Sequence, residues 1–302
     1  MKKIIIAVFL LSIIFLISCN PFKIVVLKNQ PFDKNFLIQL RSATLVNNDE
    51  VLRARDLQNN NGNPKEWLTD NPYDPFMPLS DAQCKASIEC SYGRKIQQLN
   101  PLRFPAQKSV YLCWTNRKTT QSTAEVCGVK FLNDEKTKYR LKSFRNISRL
   151  QKAQGYYLTH FQACGTCSSL QDLAVYGEFD LTKMAKTCSK RLSLKEKKKC
   201  MEKIGFTEGC AETWAFNGAN TAEFCKWTCV KTYGLFELLF GTESVPPANK
   251  SGKLNPCILC DERLSGPGFQ YGAGRTRRSS GITSEIDRPG KEIYSVQHNY
   301  FN

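Results

Sequence analysis

Histidine is scarce. The 302-residue chain has two, His160 and His298, so any imidazole chemistry must run through one of them. Acidic residues are also short against basic ones, 27 to 43, leaving a formal net charge of +16. No internal repeat and no long low-complexity run is present, which excludes solenoid and array architectures. Residues 20–80 contain no cysteine, so no disulfide can staple that stretch to itself. The N-terminal apolar run, Ile4 to Ser18, has 15 residues, too few for a comfortable membrane span.

Lys2 and Lys3 ahead of that run give residues 1–19 the form of an export signal. Leu16-Ile17-Ser18-Cys19 resembles a bacterial lipobox, in which Cys19 is the lipidation site. A plain secretory signal and an uncleaved signal anchor are the alternatives. All three place the remaining chain outside the cytosol, secreted or at the cell surface, touching a membrane only through the N-terminal segment. The cysteines agree: 14 in all, 13 after Cys19, in numbers that suit an oxidising compartment. An odd count leaves at least one thiol free, blocked or intermolecular, and spacing alone does not give the pairing. The basic charge would suit nucleic acid, but the lysines are scattered and an exported protein rarely meets it. An anionic glycan or lipid surface is the expected partner, against the alternative of a merely solvated basic surface. No cofactor is expected.

Along the chain, residues 20–80 read as a tether or wrapping arm, with Ile24 to Leu27 as a short strand and Asn59 to Asn63 as a loop. Residues 81–302 read as a single cysteine-rich α+β domain, in which a β-rich N-terminal half packs on a disulfide-stapled helical C-terminal half. Strands are expected over 109–114, 126–131 and 139–144, the last alternating large and basic residues, with Cys113 and Cys127 as a hairpin staple. Asn146-Ile147-Ser148 is a glycosylation sequon. Beyond residue 165 the period turns helical. Asp180 caps one helix running to Cys188. Ser193 to Glu196 is a capping box opening a basic helix that Gly205 ends. Further helices are expected over 210–217 and 221–239. In the second, Cys225 and Cys229 share one face one turn apart, which implies two bridges to neighbouring elements. Residues 265–281 read as a glycine- and arginine-rich loop.

Cys164-Gly165-Thr166-Cys167 follows an aromatic strand and opens a helix, and it admits three readings. A helix N-terminus favours a thiolate, which suits a thiol–disulfide oxidoreductase, although the surrounding βαβ pattern is missing. Gln162 before the motif and His298 far downstream faintly resemble a papain-type hydrolase with Cys167 as nucleophile. The glutamine is one residue too close and no tryptophan follows Cys167. In the third reading both cysteines are structural disulfides. His160, four residues before Cys164 and on the same strand face, is either a base or thiolate partner or a buried histidine bonded to backbone; His298 has the same two readings. A four-thiolate zinc site with Cys257 and Cys260 is disfavoured by spacing and compartment, and no metal is expected. Arg275, Arg277 and Arg278 in the glycine-rich run are candidate anion ligands, because guanidinium forks grip carboxylate, sulfate or phosphate bidentately. Equally, they can lock an irregular loop by bonding Asp261, Glu262, Asp287 or backbone carbonyls.

The segments Cys210-Ala211, Trp214, Asn217, Thr221, Cys225, Cys229, Asn255, Cys257, Cys260-Asp261-Glu262, Ser265-Gly266-Pro267, Ala273 to Gly281, Arg288-Pro289 and His298 with Tyr300, joined by Cys164 to Ser168 and Gln171 to Leu173, carry a resemblance. Together they are similar to a secreted cysteine-rich family of microbial eukaryotes, over about residues 156–300. That resemblance implies no particular activity. The sequence therefore yields an exported disulfide-rich globular protein of unassigned activity. Two alternatives stand beside it: a thiol-dependent enzyme using the Cys164/Cys167 turn, and an anion- or glycan-binding module using the Arg275–Arg278 loop.

Overall fold

The structure, a computed structural model, describes residues 24, 26, 27, 30–47, 125–240, 245–284, 286 and 293–301. The expected signal with Cys19, the asparagine-rich stretch, the strand expected over 109–114 and Cys84, Cys90 and Cys113 lie outside those residues.

The elements are α1 (Lys34–Ser42), β1 (Thr44–Asn47), β2 (Val126–Phe131), β3 (Lys138–Phe144), α2 (Ile147–Gln151), β4 (Tyr157–Phe161), α3 (Leu170–Glu178), α4 (Leu181–Ser189), α5 (Leu194–Glu202), α6 (Glu208–Phe224), α7 (Lys226–Tyr233), α8 (Leu235–Phe240), α9 (Pro256–Leu264) and α10 (Gly266–Ala273), followed by a 3-10 turn, Arg278–Ser280. The architecture is α+β. The strands form one four-stranded sheet in the order β1-β3-β2-β4, with β2 antiparallel to both its neighbours and β1 parallel to β3. Within the segment expected as a tether or wrapping arm, the chain supplies a helix, capped by Asp33, and an edge strand. Ahead of them, Leu27 N–H donates to Glu178 O and Val26 bridges to Phe179.

Period-two alternation decides the two faces of the sheet. Cys127, Val129, Tyr139 and Leu141 point inward and join Leu37 and Leu40 of α1, Leu170 and Leu173 of α3, Met184 of α4 and Met201 of α5 in the main core. Among the described residues, the apolar cover of the outer face lies at one end. There Val126, Phe144, Leu150 of α2 and Phe161 form a small second cluster, against which Tyr294 and Val296 pack. Gly128 makes this cluster possible: a Cβ there would lie 2.8 Å from Phe144 Cε2 and 2.9 Å from Leu150 Cδ1.

The helix signals behave as local chemistry requires. Asp180 caps α4 by accepting from Thr182 and Lys183 N–H, and Ser193 and Glu196 form a reciprocal capping box on α5. Gly205, at φ +111°, turns the chain out of that helix region. Two expected boundaries differ. The helix expected over 221–239 is instead the end of α6, then α7 and α8, broken at Cys225 and at Gly234, whose φ is +83°. The run expected as a loop over 265–281 begins with α10, which has proline in its first turn, where a missing N–H costs nothing.

Ten cysteines form five disulfides among the described residues: Cys127–Cys164, Cys167–Cys210, Cys188–Cys200, Cys225–Cys260 and Cys229–Cys257. Cys225 and Cys229 do make two separate bridges, both to α9. The expected Cys113–Cys127 staple is corrected: Cys127 bonds Cys164, because the β2–β4 pairing brings the end of β4 and the turn after it alongside β2.

Candidate functional site

The histidine, the CxxC turn and the arginine run do come together, but in the interior rather than in a cleft. The chain leaves β4 through Gln162, at the left-handed φ of +79°, and enters the turn 164–167. That turn lies on the C-terminal end of α10: Thr166 N–H donates to Gly272 O and Cys167 N–H to Ala273 O, both at 2.9 Å. The approach requires Gly165, since a Cβ there would meet Gly272 O at 2.6 Å. Cys164 and Cys167 are each disulfide-bonded to a different element, so neither presents the thiol that oxidoreductase or hydrolase chemistry starts from. All four sulfurs of the zinc alternative are likewise in disulfides.

His160 is fully buried. Its Nδ1 faces Phe161 O at 2.9 Å, which places the proton there, and its Nε2 lies 2.8 Å from Ser168 Oγ and accepts from that hydroxyl. Ser168 Oγ in turn accepts from Gly165 N–H at 2.8 Å. A serine–histidine pair of this separation is the geometry of an activated nucleophile. Here neither side chain has any solvent exposure, and the hydroxyl is used at both ends as a strut. Desolvation, helped by the Arg275 charge, holds His160 well below its ordinary pKa, so the ring is neutral. Ser168 had no signal in the sequence beyond its place after Cys167. His298 donates from Nε2 to Ser280 O at 2.8 Å and receives Tyr300 Oη–H at Nδ1 at 2.7 Å; burial lowers it to about 4.

Arg275 was expected as an anion ligand, and its geometry corrects that expectation. Its side chain has no exposure. Nε donates to Cys167 O, Nη1 to Thr159 O and Ser280 Oγ, and Nη2 to Thr159 Oγ1 and Ser168 O, at 2.7–3.2 Å. All five N–H groups of a guanidinium are thereby used. Arg277 donates to Thr283 O and Phe179 O, and Arg278 lies 3.9 Å from Glu262. The arginine run clamps β4, the CxxC turn and the 3-10 turn together.

A group of cations without an ion pair among the described residues stands elsewhere, on the outer face of the sheet. On β3 the inward Tyr139 and Leu141 alternate with exposed Lys138, Arg140 and Lys142. Arg140 is directly opposite Lys130 of β2, so the two share that face. Tyr156 stands between them: Arg140 Cζ is 5.6 Å and Lys130 Nζ 5.8 Å from its ring centroid, within cation–π range. Lys142 lies over Phe144. At the rim, Arg145, Arg149 and Lys152 are exposed on and beside α2, which itself sits on this face. Among the described residues, none of these seven forms an ion pair; the carboxylates that do pair serve Arg41, Lys183, Lys198 and Arg278. Residues 126–155 contain two acids, Asp134 and Glu135, both in the β2–β3 turn. The sequence did carry the sign, in the basic alternation of 139–144, but not the face or its company.

No helix among the described residues is long and apolar enough to cross a membrane. No curated protein and no solved structure matches the chain. Residues 194–296, about a third of the chain and within the stretch that carries the sequence resemblance, match a family of unknown function (DUF8771), which spans α5 to the arginine clamp and leaves the sheet outside it.

Proposed function

We propose that the protein is an exported binding module that holds an anionic glycan on the outer face of its sheet. The observation that carries this reading is the set of cations without ion pairs around Tyr156. Along a strand, alternate residues stand about 6.6–6.8 Å apart. At that separation, in water, each neighbouring like-charged pair costs about 0.6 kcal/mol. Among the described residues no carboxylate pairs with these cations to relieve this cost, whereas an acidic polymer lying along β3 would. Arg140 can grip a sulfate or carboxylate bidentately, and the Tyr156 ring holds Arg140 and Lys130 in place before the ligand arrives. Export is part of the proposal: five disulfides are at home in an oxidising compartment, and the N-terminal segment has the form of a signal. The thiol-enzyme alternative gains no support from two bonded cysteines.

The test is retention on an immobilised sulfated polysaccharide, with uncharged dextran and single-stranded DNA as controls. The triple variant Lys130→Glu, Arg140→Glu, Lys142→Glu is expected to weaken binding by about 1–3 kcal/mol, taking roughly 0.2–1 kcal/mol for each exposed pair, added repulsion included. Retention of the triple variant equal to wild type would remove this face from the reading. Equal preference for DNA would reduce it to unspecific charge.

A further inference from the structure

A second surface is built as if to be wetted by something other than water. The disulfides Cys225–Cys260 and Cys229–Cys257 hold the back of α7 against α9. Trp227 is two residues from each of those cysteines, about 200° round the helix, and so faces away from α9. It is 71% exposed. Lys231, one turn on, shares that face and is exposed, as is Lys226, whose Nζ lies 5.4 Å from the Trp227 ring. Gly234 then turns the chain, with open space where a Cβ would stand. Leu235 and Phe236 follow, 55% and 78% exposed. They open α8, in which every residue but Glu237 is apolar, and Glu237 is turned inward and buried.

We propose that the front of α7 with the start of α8 docks on an anionic lipid surface. Trp227, Leu235 and Phe236 enter the boundary between headgroups and acyl chains, while Lys226 and Lys231 meet the acidic headgroups. Charge complementarity selects this occupant. Two lysines flank the aromatic face, and the one carboxylate in residues 225–240 points away from it, an arrangement of rings and cations that suits a membrane interface. A buried protein interface would instead favour depletion of lysine. The two staples fix the helix rigidly, so the tryptophan is presented without an ordering cost at docking. This inference is independent of the glycan reading, since it concerns another surface.

The experiment is co-sedimentation of the full chain with vesicles of phosphatidylcholine alone and with a one-in-five share of phosphatidylserine, read with tryptophan emission and quenching by brominated lipid. Wild type is expected to partition onto the anionic vesicles with a blue-shifted, quenched emission. Trp227→Ala should lower the partition at least about fivefold and abolish most of the quenching, and Lys226→Glu with Lys231→Glu should cost roughly fivefold per lysine. Because these side chains are exposed, the variants should keep the wild-type melting curve. Comparing variants with wild type cancels any contribution from the N-terminal apolar run. Equal partition of the tryptophan variant, indifference to the lysine reversals, or equal binding to uncharged vesicles would overturn the proposal.

Discussion

Replacing Arg275 with methionine separates a clamp from an anion site. The substitution leaves three buried carbonyls, on Thr159, Cys167 and Ser168, without their donor. The hydroxyls of Thr159 and Ser280 can rotate to other partners, so they add less. An orphaned buried acceptor costs about 1–3 kcal/mol, which makes about 3–9 kcal/mol for the three. Methionine recovers part of this, because a buried cation no longer has to be kept out of water, a penalty of several kcal/mol. A net loss of about 3–5 kcal/mol follows, a large share of the roughly 5–15 kcal/mol that holds a typical domain folded. Urea denaturation with the disulfides intact measures it, and polysaccharide retention of the still-folded variant should be unchanged. Arg277→Met, which takes the donor from Thr283 O and Phe179 O at a half-buried position, should cost about 1–2 kcal/mol. If Arg275→Met were within 1 kcal/mol of wild type and lost polysaccharide binding, the clamp would be refuted and the arginine run would be the anion site.

The disulfides give a second expectation. A non-reducing peptide map of protein from its native source should recover Cys127–Cys164, Cys167–Cys210, Cys188–Cys200, Cys225–Cys260 and Cys229–Cys257, and alkylation of these thiols before reduction would contradict it. From loop length alone, removing Cys167–Cys210, 43 residues apart, should cost about 4 kcal/mol, against about 3 kcal/mol for Cys188–Cys200, 12 apart. A third concerns acid. His298 titrates near 4 in the fold and near 6.5 unfolded, so the stability it preserves is complete above pH 6.5 and is lost as pH falls to about 4. Asp172, raised by burial to about 6, acts in the opposite sense over an overlapping window, favouring the fold at the acid end. The comparison must therefore be between wild type and His298→Asn. The wild-type advantage in urea melts should shrink by about 2 kcal/mol between pH 7 and pH 4, once partial exposure is allowed for. A constant difference would show that His298 is not held neutral.

The sequence by itself determined the features whose causes lie within a few residues. Asp180, Ser193 with Glu196, and Gly205 set helix ends because a cap is bonded two or three residues away. The alternation of 139–144 made a strand with a basic side, and the one-turn spacing of Cys225 and Cys229 on one helix face pointed to two bridges, each reaching out to a neighbouring element. The tertiary structure alone decided what depends on distant chain. Arg275 and Cys167 are 108 residues apart, and an arginine among glycines looks the same in sequence whether its five donors meet a ligand or its own backbone. The partner of Cys127 depended on β2 pairing with β4, and His160 became inert only when Ser168 and the core closed over it. The outer sheet face became a candidate site for the same reason. Local pattern puts lysine and arginine on one side of β3, but only the packing of the other side against the helices, and of Tyr156 between Arg140 and Lys130, leaves those charges assembled and facing solvent.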